Sequence, residues 1–547
     1  MQDTTRIMVP DLRLAVAPDE EIQEGLKDLL AKKLNIAGDH LPPYRIIKRA
    51  IDARRNQPAF VFCVTLDLES RAASNLLTSG KALEYKKPFR RRWHLSAPLA
   101  GPPPVVVGAG PAGLFAALTL AEAGCRPILL ERGEPVEARG RKVSKLYARG
   151  TLDPNSNVCF GEGGAGTYSD GKLYTRVNDS RGWGVVRTLV ELGAPARLEV
   201  DNRPHIGTDR LVVLLKGMRQ RLLDLGASIR FGTKVEALHW EDGQLRRVML
   251  DDGESIDAPR TLLATGHSAR KLMRRLYADG APIEAAPFAV GFRVEHSQDL
   301  INRIRYGRAS SSDLLPAADY SLRHQGQDGR GVYSFCMCPG GVVVATPTEE
   351  AELCINGMSH ASRSGRFANS ALVVALKPTE LESWGYSGVF GGVDFQQDVE
   401  QAAYQAGGGD FVAPASRLTD FLQGRVSGDL SSTSYRRGIV PADLATLYPT
   451  TVIEALQQSL NPFAKRMPGF LTEEATLIGV ETRTASPLRC LRDETGQALG
   501  IGGLYPSGEG LGYGGGIASA AIDGVRAAEH LLQELGATFT EEELPLL

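Results

Sequence analysis

The segment "PVVVGAGPAGLFAALTLAEAGCRPILLERGE" restricts the fold more than any other part of the chain. A β-branched run, Val105 to Val107, meets Gly108-Ala109-Gly110-Pro111-Ala112-Gly113. A helical pattern follows through Leu114 and Leu118 and stops at Gly124, and a second apolar run, Ile128 to Leu130, ends in Glu131. Strand, tight turn, helix and strand make one βαβ unit, which demands a parallel sheet and an α/β fold. Gly108 permits the turn, Gly110 leaves the backbone bare where a pyrophosphate approaches, and Gly113 lets the helix pack on the strand. The helix N-terminus offers unpaired N–H groups and partial positive charge to phosphates, with Pro111 and Ala112 at its start. Glu131 stands 18 residues past Gly113, followed by Arg132. An acid there accepts hydrogen bonds from ribose hydroxyls and repels a 2′-phosphate, so FAD or NAD fits better than NADP.

Two later segments bear on that choice. "TLLATGHSAR" gives an apolar strand, Thr261 to Ala264, broken by Thr265-Gly266. "IGGLYPSGEGLGYGGGIASAAIDGVRAAEHLL" gives a short strand, a turn at Ser507-Gly508-Glu509, a glycine cluster reaching Gly515, and a long helix from about Gly516-Ile517. An acid on a turn before a glycine-opened helix suits a polyhydroxyl chain and an electron-rich ring edge, as in flavoproteins.

These motifs together resemble the glutathione-reductase-like superfamily of FAD-binding oxidoreductases. More narrowly, "CFGEGGAGTYSDGKL", "GHSAR", "FAVGFRVEH", "SFCMCPGG", "NGMSHASRSGRFANSALVV" and "RTASPLRC" resemble a bacterial family of FAD-dependent dehydrogenases whose substrate is unsettled. The resemblance covers nearly the whole chain. It implies FAD as cofactor, but no reaction. It also implies that Gly163, Gly164, Gly166, Thr167, Ser169, Asp170 and Lys172 line the flavin, and that Val235 lies against adenine. A run of glycine N–H groups suits pyrophosphate or a reduced flavin. Lys172 either offsets negative charge there or pairs with Asp170.

A chain of 547 residues exceeds one ordinary core. Residues 1–97 read as a small α+β domain, either a docking or regulatory module or a cap on the main domain. "KKPFRRRWHLSAPLAGPPP", Lys86 to Pro104, reads as an extended linker whose Arg90–Arg92 run either touches phosphate or pairs with acids. Residues 98–286 and 471–547 are expected to form a discontinuous, doubly wound, Rossmann-like FAD domain. Residues 287–470 are expected to form an inserted β-rich α+β substrate or cap domain. Within the insert, "GVYSFCMCPGGVVVATPT" reads as a hairpin turning at Pro339-Gly340-Gly341.

Composition excludes several classes. Net charge is -2, which does not favour nucleic acid. The N-terminus lacks a secretion pattern and no apolar run reaches membrane length, so a cytoplasmic location without a membrane span is expected. Seven scattered cysteines fit neither a disulfide framework nor a metal site, and no metal is expected. Cys159 is either a redox thiol or an inert buried one. Cys336 and Cys338, on one face of a strand, are either a redox pair or two buried thiols. His360 is a candidate acid/base, with Arg363 or Arg366 for an anionic substrate, and His267 is read as structural. No catalytic residue is assigned.

The expected activity is an FAD-dependent oxidoreductase moving hydride between a small organic substrate and flavin N5, with an unspecified electron donor or acceptor. The alternatives are an NAD(P)H-fed reductase or monooxygenase, a tRNA-modifying flavoprotein, and a flavin binder without turnover. No second GxGxxG is followed by a strand-end acid, which speaks against a separate nicotinamide domain.

Overall fold

The computed structural model describes residues 3–54, 57–175, 177–327 and 329–545. Five fully parallel strands form the central sheet, in the order 504–506, 261–263, 105–107, 128–130 and 228–230. Val105, Val106, Leu129, Leu262 and Leu504 are essentially inaccessible, as both-face burial of a parallel sheet requires. The fingerprint helix (Pro111–Glu122) and the C-terminal helix (Ile517–Glu534) pack on this sheet and on each other. Their approach rests on Gly524, where a Cβ would strike the carbonyl oxygen of Ala112.

Val235–Glu241, Gln244–Leu250 and Ser255–Asp257 form a small antiparallel sheet. Its first hairpin turns on Asp242 and Gly243, both at positive φ (50° and 69°), the geometry of a tight two-residue turn.

The N-terminal region is an antiparallel four-stranded sheet, in the order 44–52, 59–69, 4–15 and 83–84. Helix Asp19–Leu34 buries Ile22, Leu26, Leu30 and Leu34 at four-residue spacing. The edge strand meets the main body through Arg49, whose backbone bonds Val200 and Asn202 and whose side chain pairs with Asp201. The expected linker contains a strand. Phe89–His94 pairs with Thr538–Glu543, and Arg90 and Arg92 both bind Glu542. Arg90 also pairs with Glu191, and Arg92 with Glu122. The arginine run serves acids of its own chain.

Residues 288–481 build an eight-stranded sheet around Phe288–Ser297, which pairs with Phe367–Leu376 on one side and Thr476–Glu481 on the other. The expected border at 470/471 separates Thr476–Glu481 from its partners; its pairing places it in this sheet. The expected hairpin at Pro339-Gly340-Gly341 does not form. Gly331–Ala345 is one continuous strand that changes partner, from Phe367–Leu376 to Ile355–Ser359. Two irregularities, between Phe335 and Cys338 and between Cys338 and Gly341, each absorb one extra residue. Gly340 sits at φ +50°, where a Cβ would overlap the carbonyl of Arg363. The prolines and glycines thus mark bulges rather than a reversal.

Candidate functional site

A cavity of about 1160 Å³ runs from the fingerprint turn to the face of the eight-stranded sheet. Gly108, Gly110, Pro111, Ala112, Glu131 and Arg132 line one end. Gly108 stands at φ +103°, and a Cβ there would overlap Ala264 of the neighbouring strand. At Gly110 a Cβ would meet nothing closer than 3.9 Å, so the bare backbone faces open cavity. Gly113 does not line the cavity; it packs against the carbonyl of Gly108 and against Val106.

Glu131 is buried at the strand end. It accepts backbone N–H bonds from Ala109 (2.8 Å), Gly133 (2.9 Å) and Gly161 (2.9 Å). A carboxylate has about four acceptor sites, so about one is left for a ribose hydroxyl. The acid therefore ties three loops together as well as facing the cavity. Arg132 lies 3.9 Å above the Phe160 ring and donates to Asn155 at 2.7 Å.

The glycine-rich loop after residue 154 is threaded by Arg139, a residue missed in the sequence. Its guanidinium is fully buried, with no acidic partner among the described residues. It donates to the carbonyls of Asn157, Val158, Glu162 and Gly164 at 2.6–2.8 Å, to Gly161 at 3.3 Å and to the Thr167 hydroxyl at 3.1 Å. Helix Val136–Arg149 buries Val136, Arg139, Val143 and Leu146. An arginine on that apolar stripe was the available signal.

Gly164, Gly166, Ser169, Asp170 and Lys172 line the cavity. Gly163 and Thr167 do not. Gly163 faces Thr167 and Leu215, and the Thr167 hydroxyl is spent on Arg139 and the Glu162 carbonyl. Asp170 is bound by both arms of Arg363, so that arginine is not free for an anionic substrate. Burial alone would raise the Asp170 pKa; Lys172 and Arg363 outweigh it and hold it below the usual range. Lys172 stands 3.9 Å from Asp170, a loose pairing that leaves its ammonium to the cavity.

Val235, Thr265, Gly266, Gly508, Glu509, Gly515, Gly516 and Ile517 also border the cavity. The Thr265 hydroxyl is buried there without a partner among the described residues. Helices Pro111–Glu122 and Ile517–Glu534 both open on glycine without a side-chain cap. Asp523, unread in the sequence, holds the turn before Glu509 by accepting from Ser507 Oγ (3.0 Å) and Gly508 N (2.9 Å), with Arg492 paired to it.

A buried charge cluster joins helix Arg270–Ala278 to helix Gly391–Ala406 and to the segment after strand Thr476–Glu481. Glu400 receives Arg483 (2.6 Å) and Arg270 (3.0 Å), and Glu352 lies 3.3 Å from Arg270. Burial pushes the Glu400 pKa up, but the two guanidiniums hold it well below the carboxylate range. His267 lines the cavity 3.5 Å from Glu509. His360 is 65 % exposed outside the cavity, which removes it as an acid/base candidate, and Arg366 stacks on Phe367. Cys159 lines the cavity with its thiol 3.8 Å from the Thr346 carbonyl. Among the described residues there is no cluster able to hold a metal, and no helix is long and apolar enough to cross a membrane.

Residues 103–274 match the pyridine nucleotide-disulphide oxidoreductase family. Residues 287–484 match the C-terminal domain-like family of FAD-dependent proteins, and residues 8–67 match a domain of unknown function. The chain is an FAD-dependent oxidoreductase, and FAD is its cofactor. A Clostridium beijerinckii protein described as uncharacterized is 40% identical over 534 residues, spanning 96% of this chain and 99% of the relative. The chain belongs to one family with that protein, a family of FAD-dependent oxidoreductases. Among solved structures, a flavoprotein/dehydrogenase from Cytophaga hutchinsonii matches at 11% identity and TM-score 0.34, covering 80% of this chain and 79% of the other. L-amino acid deaminase from Proteus vulgaris matches at 14% and 0.33, covering 80% and 96%. Overlaps this loose say nothing about substrate or reaction.

The cavity fits FAD on its own terms. It offers two uncapped helix starts for anionic groups, one remaining acceptor on Glu131, and an unpartnered hydroxyl at Thr265.

Proposed function

We propose that this oxidoreductase is a dehydrogenase that moves a hydride between a small organic substrate and flavin N5. The observation that carries the reading is the extent of the cavity. At about 1160 Å³ it exceeds the roughly 300–1,000 Å³ of a single small-ligand pocket. Besides the glycine turns it is lined by Tyr174, Tyr333, Phe335 and Cys336, the last three from strand Gly331–Ala345 of the eight-stranded sheet.

In this reading the FAD domain is discontinuous, residues 98–286 with the C-terminal segment, and the eight-stranded sheet roofs the substrate end. The shared parallel sheet supports that layout. Gly108, Gly110, Pro111 and Ala112 take the pyrophosphate, Glu131 the ribose, and Val235 the adenine side. Thr265, Gly266, Gly508 and Glu509 take the polyhydroxyl chain. Gly515, Gly516 and Ile517 present a helix start to the flavin edge, where negative charge develops on reduction. Bound FAD supplies the hydride acceptor; the protein supplies position, dryness and charge. Lys172, inside the cavity, offsets negative charge at the flavin or on the substrate.

The match of residues 103–274 favours one second reading, in which a pyridine nucleotide feeds the flavin. Anaerobic mixing with NADH and NADPH separates the two. A dehydrogenase fed by an organic substrate keeps its yellow absorbance; rapid bleaching overturns that reading in favour of the second. A colourless protein that takes up no added FAD overturns both.

A further inference from the structure

The bulge at Cys336 changes what the two neighbouring cysteines can do. In a flat strand, residues i and i+2 lie about 6.6 Å apart, at the upper edge of what a disulfide spans. Here Cys336 takes the left-handed conformation, φ +45°, at the point where one extra residue enters the strand. Side-chain alternation is lost. Cys336 lines the cavity, while Cys338 is fully buried behind it. The Cys338 thiol donates to the Cys336 carbonyl oxygen at 3.3 Å, which holds the side chain of Cys338 against its neighbour.

Their surroundings favour a thiolate. Lys172 approaches from the glycine-rich loop and Arg293 from strand Phe288–Ser297; Arg293 donates to the Cys336 carbonyl at 2.6 Å and to the Cys338 sulfur at 3.4 Å. Asp170, Glu481 and Tyr320 also face the pair, and the two acids are engaged by Arg363 and Arg293. The Cys338 thiol, Lys172 and Arg293 together bring the Cys336 thiol down to about 5, against its burial. Cys338 moves the opposite way and stays protonated. One cysteine of the couple is thus ready to react and the other holds the proton.

We propose that Cys336 and Cys338 form a dithiol–disulfide couple that exchanges two electrons with the FAD at this site. This rests on the cavity being the flavin and substrate site. The step balances as one thiolate, one thiol and oxidised flavin giving one disulfide and the anionic two-electron-reduced flavin. The Sγ–Sγ bond forms, the Cys338 S–H bond breaks, and its proton goes with the electron pair to the flavin. In reverse, reduced flavin opens the disulfide; an external dithiol also reopens it by exchange.

The test uses the full-length, FAD-loaded protein. It is reduced with dithiothreitol, freed of reagent anaerobically, and divided into untreated and diamide-treated samples. Iodoacetamide labelling and peptide mapping then read every cysteine. In the reduced sample Cys336 labels first, already near about pH 6. After diamide, both Cys336 and Cys338 are protected and their peptide is lighter by two hydrogens. Cys338→Ser keeps the hydrogen-bond donor and the early labelling of Cys336, but forms no internal disulfide. In parallel, anaerobic dithiothreitol bleaches bound flavin in the wild type at least about tenfold faster than in Cys336→Ser or Cys338→Ser. Full labelling of both cysteines after diamide, labelling of Cys336 only near the ordinary thiol range, or equal bleaching in all three proteins overturns the proposal. Loss of flavin colour from the wild type before any treatment is a different failure, that of the cavity reading itself.

Discussion

Two glycine-rich loops border the same cavity, and they are glycine-rich for different reasons. In the loop from Gly161 to Gly171 the neighbours are protein. A Cβ at Gly161 would lie 2.5 Å from Arg139 Cδ, one at Gly163 would overlap Thr167 and Leu215, and one at Gly171 would lie 2.9 Å from the backbone of Gly207. In the loop from Gly514 to Gly516 a Cβ at Gly515 or Gly516 would meet nothing within 4 Å. The first loop is wrapped around a buried guanidinium. The second leaves room that the protein does not fill, beside a helix start that is not capped. Glycine serves internal packing in one and access for a ligand in the other.

Removing Arg139 should break the contrast most severely. Arg139→Met would leave buried carbonyls without donors, at a cost of about 3–5 kcal/mol, comparable to breaking a buried charge interaction. Urea unfolding should show the loss and bound FAD should be released. Unchanged stability and flavin content would mean that the loop does not depend on this side chain. Gly163→Ala should come next, at about 1–3 kcal/mol, from positive φ and from displacing Leu215, again read by unfolding. Arg139→Lys with wild-type stability would show that charge, rather than the fork of donors, matters.

The third effect is pH-dependent and lies beside the end of the first loop. His205 faces Lys172 across a β-bridge and contacts Ala361 through Nε2. Burial, then Arg363, brings its pKa down to about 4, with Asp170 opposing. The unfolded chain binds a proton that the folded chain refuses. Its contribution to stability is therefore complete above the ordinary histidine value and is lost as pH falls towards about 4. His205→Gln should flatten stability against pH across that window, and an unaltered slope would assign the dependence elsewhere.

The smallest effect on stability is expected from Gly515→Ala, within about 0.5 kcal/mol. FAD affinity should nevertheless weaken by about tenfold in equilibrium titration, since the added methyl enters the cavity. A change in apoprotein stability of the size expected at Gly163 would erase the distinction between the loops.

The βαβ fingerprint was legible because its constraints are local. A tight turn, a bare backbone and an acid at the strand end follow from spacing along one stretch of chain. The helix start at Gly516-Ile517 and the turn at Asp242-Gly243 were legible for the same reason. Gly163 and Thr167 were misplaced because a glycine run does not say which residues face outwards. That depends on Arg139, 24 and 28 residues away, whose role showed only as an arginine on an apolar helical stripe. Glu400 sits likewise on the buried side of its helix, and its arginines arrive from two other elements.

The sequence by itself determined the α/β class, the dinucleotide fold around Gly108 to Glu131, and a strand-end acid that suits FAD or NAD better than NADP. Each depends on residues close together in the chain. The tertiary structure alone decided that Gly331–Ala345 is one bulged strand, that Asp170 takes Arg363, and that Cys336 opens on the cavity while Cys338 lies behind it. The physical reason is that pairing register and charge partnership are settled between segments distant in sequence, where side-chain alternation along one strand carries no information.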